Sequence, residues 1–89
     1  MYPLREKDCL SRVVIYDLTR DFEQFRIEIL VILSGGGDHR CEALLYHEEN
    51  LSDDQLFGYG QTEQSALRDL LRKIQGYSAD ELFSFFENP

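Results

Sequence analysis

Basic residues are scarce in this chain: nine Lys and Arg stand against seventeen Asp and Glu, a formal net charge of −8. Non-specific binding to DNA or RNA phosphates recruits clustered Lys and Arg, so direct nucleic-acid binding is excluded as an expectation. The same shortage argues against docking on anionic lipid. Long apolar runs are missing too. None approaches the ~20 residues of a membrane span. Met1 to Leu10 mixes charged and apolar residues and lacks the apolar core of a signal peptide. Cysteine is limited to Cys9 and Cys41, without a C-x-x-C pair. A secreted domain of this size usually carries more, so the expectation is two unbridged thiols in a reducing cytoplasm.

Among 89 residues, 43% are hydrophobic, 12% aromatic and 29% charged. That composition belongs to a globular chain. The length holds one core, so residues 1–89 are expected to form a single domain. Six Phe and five Tyr supply the large buried areas that a small domain needs.

Three strands are expected to precede two helices. Arg12–Leu18 is β-branched and runs into Thr19-Arg20-Asp21, a turn; residues 1–11 are expected to be irregular. In Phe25–Leu33, Phe25, Ile27, Ile29, Val31 and Leu33 share one face. Leu30 and Ile32 on the other face mark it as a central strand. Gly35-Gly36-Gly37 suits a hairpin turn because glycine visits positive φ freely, and His39–Glu48 returns as the third strand. Residues 49–61 read as an acidic, glycine-bearing connector. Ser52-Asp53-Asp54-Gln55 fits a capping box within it, with Leu51 and Leu56 as a staple.

Thr62 caps the first helix, whose Leu67, Leu70, Leu71 and Ile74 recur at i, i+3, i+4 and i+7. Gly76 is its expected stop. Ser78-Ala79-Asp80-Glu81 opens a second helix with a capping box, stapled by Tyr77 and Leu82. Leu82, Phe83, Phe85 and Phe86 span roughly 160° of that helix, wider than a packing stripe requires. The fold class is therefore α+β: a three-stranded antiparallel sheet followed by two helices on one face, β-β-β-α-α in two layers.

Catalytic groupings are sparse. His39, Cys41 and His47 could begin a zinc site, but their spacing matches no short-turn ligand pair and a fourth ligand is lacking. Asp38, Glu42 and Glu48 could hold a divalent ion for a metal-assisted hydrolase, although both lysines, Lys7 and Lys73, lie far away in sequence. No G-x-S-x-G elbow is present, and Gly35-Gly36-Gly37 lacks the G-K-[ST] of a phosphate loop. The two helices have helix-turn-helix lengths, but the second carries Asp80, Glu81 and Glu87 where base-reading side chains would be needed.

Two resemblances rest on the middle of the chain. Phe25–Leu33, Arg40–Glu48 and Gly58-Tyr59-Gly60-Gln61-Thr62 before a helix resemble the β-β-α tail of double-stranded-RNA-binding domains. Those domains open the helix with a phosphate-gripping lysine pair; Glu63 and Gln64 stand here, so the resemblance implies local geometry without RNA binding. Gly60-Gln61-Thr62-Glu63-Gln64-Ser65-Ala66-Leu67 is similar to the G-x-T-x-x-x-A-L segment of HicB-type antitoxins. That resemblance implies a small acidic protein that silences a basic RNase toxin.

Together these features lead to an expectation of a non-enzymatic, cytoplasmic protein-binding or inhibitor protein without a cofactor. Its class would include antitoxins and phage-type inhibitors such as anti-CRISPR proteins. Glu48, Glu49, Asp53 and Asp54 would meet a partner with a basic surface. The alternative is a homodimer through Leu82, Phe83, Phe85 and Phe86.

Overall fold

A computed structural model describes residues 10–34 and 40–86. It is an α+β arrangement in which helices cover one face of an antiparallel sheet. The first two strands, β1 (Leu10–Arg20) and β2 (Glu23–Ser34), pair along their whole length, from Arg20 opposite Glu23 to Leu10 opposite Ser34. Asp21 and Phe22 form the turn between them, both at positive φ (52° and 67°). Two left-handed central residues match the twist of the flanking strands, which is why hairpins favour this turn. Strand β1 is longer than expected from the sequence. Leu10 and Ser11, assigned to an irregular segment, are drawn into it by pairing with β2, with a register shift between them.

Strand β3 (Cys41–His47) pairs with the other side of β2, so β2 is internal. Within the expected connector at 49–61, two short strands join the sheet's far edge. A two-residue turn at Glu48 and Glu49 leads into β4 (Asn50–Leu51), which pairs with the end of β3. A single 3-10 turn follows at Asp54–Leu56, and β5 (Gly58–Gly60) then pairs with the start of β3. The sheet thus has five strands rather than three. Ladder bonds to β3 satisfy backbone groups that a free connector would leave to water.

Helix α1 (Glu63–Ile74) is capped at Thr62, whose hydroxyl accepts from Ser65 N–H while Ser65 Oγ accepts from Thr62 N–H. Its Ala66, Leu70 and Ile74 are fully buried. They pack with Phe25, Ile27, Ile29, Cys41, Ala43 and Leu45 from the inner sheet face. Close approach is permitted by β5. An added Cβ at Gly58 would stand 2.6 Å from Leu70 N, and one at Gly60 2.8 Å from Ala66 N. Gly76, by contrast, has open space around it and lacks the left-handed φ of a helix-stopping glycine.

Helix α2 (Ala79–Phe83) has the expected box between Ser78 and Glu81 but is only five residues long. The chain then turns, so Ser84, Phe85 and Phe86 are not helical. Its start is tied to the β1–β2 turn, where Asp21 accepts from Ala79 N–H, and its end to the far edge, where Phe85 C=O accepts from Asp53 N–H. It therefore crosses one end of the sheet like a strap.

Candidate functional site

Glu48, Glu49, Asp53 and Asp54 are all exposed and belong to the far edge of the sheet. Glu48 sits at φ 57°, the left-handed region. Asp53, rather than Ser52, caps the 3-10 turn by accepting from Gln55 N–H at 2.9 Å. Ser52 is buried, with its hydroxyl donating to Asp53 C=O and its N–H to Leu45 C=O. Leu51 is 43% exposed and Leu56 is buried. Among the described residues, ion pairs join Arg12 to Glu63, Arg26 to Glu28, and Asp69 to both Arg72 and Lys73. None includes the four edge carboxylates, whose charge is left facing solvent.

The expected aromatic surface on α2 is mostly absorbed by the chain's own core. Leu82 and Phe86 are buried and Phe83 and Phe85 half-buried. Phe83 and Phe86 lie 5.8 and 5.9 Å (ring centroids) from Phe25, and His47 lies 4.8 Å from Phe83. Tyr77 meets Phe85 edge-on at 5.2 Å. The wide arc read from the sequence assumed continuous helix. Termination after Phe83 lets Phe86 swing inward.

The groups considered for metal chemistry are separated. Glu42 and Glu48 lie six positions apart along an extended strand and its turn, about 20 Å. Glu42 stands opposite Leu30 and Tyr59, whereas Glu48 lies beyond the strand end. Cys41 and His47 are separated by a similar distance on the inner face, His47 being set among Phe25, Phe83 and Phe86. Asp38 and His39 lie outside the described residues. Among the described residues no three His, Cys, Asp or Glu come together as a metal site. Cys41 is buried and unbridged; desolvation, with a smaller push from Glu63, raises its thiol pKa and opposes a nucleophilic role.

No family model, curated protein or solved structure matches this chain. Two features of the structure are not legible in the sequence. Phe22 is 99% exposed at positive φ on the β1–β2 turn, where an aromatic gains nothing from the chain's own packing. A shallow, open groove of about 800 Å³ also runs along α1, closed at one end by Arg20 at the end of β1. Arg20, Arg68 and Arg72 line it with Leu67, Leu71 and two glutamines, and no carboxylate is among its lining. The four α1 residues Leu67, Arg68, Leu71 and Arg72 form two adjacent i, i+4 rows, a pattern visible in sequence once the partner strand is known.

Proposed function

We propose that this chain is a non-enzymatic protein-binding module that presents an acidic edge to a basic partner. Its source of recognition is the row of exposed carboxylates Glu48, Glu49, Asp53 and Asp54, which form no ion pair among the described residues, Arg26 reaching only the backbone C=O of Glu48. Charge left unpaired in this way raises encounter rates with a cationic surface and discriminates against acidic ones. A nucleic-acid enzyme has such a surface, and occupying it would make this protein an inhibitor or antitoxin of the kind that the Gly60–Leu67 resemblance implies. The scattered placement of Glu42, Glu48, Cys41 and His47 favours binding over catalysis.

Capture of proteins from a cell lysate tests this reading when the parent chain is compared with a Glu48→Lys, Glu49→Lys, Asp54→Lys variant. Asp53 is kept because it caps the 3-10 turn. The expected result is a partner retained at low salt by the parent, released as salt screens the charges, and not retained by the variant. Equal capture by both chains with the same salt dependence would refute the acidic-edge reading.

A further inference from the structure

The two edges of the sheet differ in a way that net charge does not reveal. The far edge is broken into β4, a 3-10 turn and β5, the short interrupted form that discourages further pairing. The opposite edge is β1, eleven residues long, without Pro or Lys, its one register shift confined to its start. Among the described residues β1 pairs only with β2, so alternate residues turn N–H and C=O groups outward along its other side. Val13 and Ile15 on this strand are 48% and 58% exposed. A long apolar edge of this kind is a template for another strand.

The groove beside that edge selects what could pair. Arg20 donates to Ile74 C=O at 2.6 Å and Tyr77 C=O at 2.9 Å, so the carbonyls at the end of α1 offset part of its charge but no carboxylate pairs with it among the described residues. Asp69 is shared by Arg72 and Lys73, one negative charge against two positive ones. Arg68 is exposed and has no ion pair among the described residues. Self-pairing of β1 would bring Arg12 and Arg20 of a second copy toward this cationic groove, which like-charge repulsion disfavours.

We propose that the outer edge of β1 and the adjoining groove form a docking site for an extended acidic segment of a partner protein. The segment adds to the sheet as a further strand. Its alternate side chains lie over Leu67 and Leu71 and place carboxylates against Arg20, Arg68 and Arg72. Main-chain bonds supply affinity and the groove supplies selectivity, as in other strand additions. Helix α1 is about 18 Å long and matches five or so extended residues. This site lies on the opposite edge from the carboxylates of the proposed function and stands or falls independently of them.

Titration of the isotopically labelled full chain with short synthetic peptides, followed by two-dimensional NMR, tests the site. A peptide alternating Glu and Val should shift amide signals of residues 11–19 and 64–75 and leave the far edge at 50–60 unmoved. Replacing Glu by Lys in the peptide should abolish the shifts, and N-methylating alternate peptide nitrogens should abolish them while keeping the charge. Arg68→Glu, an exposed change that spares Arg20 and Arg72, should weaken binding about ten-fold. Gln64→Glu gives a second variant with the same direction should the first fold poorly. The proposal is overturned by no shifts at ~1 mM peptide, by equal binding of the N-methylated or Lys peptide, or by shifts confined to residues 50–60. Concentration-dependent self-association through the same amides without peptide would also overturn it, in favour of a second copy.

Discussion

Gly58 offers the sharpest test of how helix and sheet are held together. Its backbone meets α1 so closely that an alanine Cβ would stand 2.6 Å from Leu70 N and 2.8 Å from Leu70 Cβ. Carbon atoms prefer about 3.5–4.0 Å, so strand and helix must separate by roughly 1 Å. Both neighbours at Leu70 belong to the helix axis itself or to a fully buried side chain, and neither can rotate away. A gap of that size forfeits a quarter to a half of each contact it opens, and overpacking typically costs about 1–3 kcal/mol. The gain of alanine over glycine in a strand returns only about 0.5–1 kcal/mol. A net loss of about 1 kcal/mol is expected for Gly58→Ala, against a total of roughly 4–13 kcal/mol for a domain of this length. Urea unfolding followed by circular dichroism should show a lower midpoint at unchanged slope. Gly76→Ala is the internal control. Its Cβ meets nothing within 4 Å and its φ is not left-handed, so stability should hold or rise by about 0.4–1 kcal/mol. Should Gly58→Ala unfold within about 0.5 kcal/mol of the parent, close packing of β5 on α1 would not be what positions the helix.

Other consequences follow from single contacts. Burial pushes the Asp69 carboxyl up, but the Tyr59 N–H at 3.0 Å and the cations of Arg72 and Lys73 outweigh it, leaving its pKa below the usual range. A lowered folded pKa means that its stabilisation is complete above the ordinary aspartate value of about 3.9 and fades as pH falls below it. Asp69→Asn should therefore cost about 1–3 kcal/mol at neutral pH and flatten the acid limb of a pH–stability curve; an unchanged limb would exclude the clamp. Phe22→Gly should raise the thermal midpoint, since relief of an exposed left-handed phenylalanine is worth about 1 kcal/mol, and a lower midpoint would mean that the ring packs in solution. Phe86→Ala should destabilise by about 3 kcal/mol in a monomer by light scattering; dissociation of a dimer instead would assign that ring to an intermolecular contact.

Local chemistry in the sequence was enough for the elements that announce themselves. The alternation of Phe25, Ile27 and Ile29 marked the inner face of β2, and Leu30 and Ile32 marked it as internal. Thr62 and Ser78 marked both helix starts because a capping hydroxyl satisfies donors a few residues away. Four acidic side chains could be named from their density in the sequence, and all four are exposed. Among the described residues, no helix is long and apolar enough to cross a membrane.

Tertiary structure decided what depends on residues far apart in sequence. Residues 49–61 read as a connector because two- and three-residue strands carry no periodicity; only the edge of β3 makes them strands. Helix α2 stops early because Phe25 and His47, more than thirty positions upstream, draw Phe86 into the core, which the helical arc of its own residues could not foretell. The cationic groove was hidden by the net charge. A sum over the chain has no geometry, and Arg20 joins Arg68 and Arg72 only when β1 is laid beside α1.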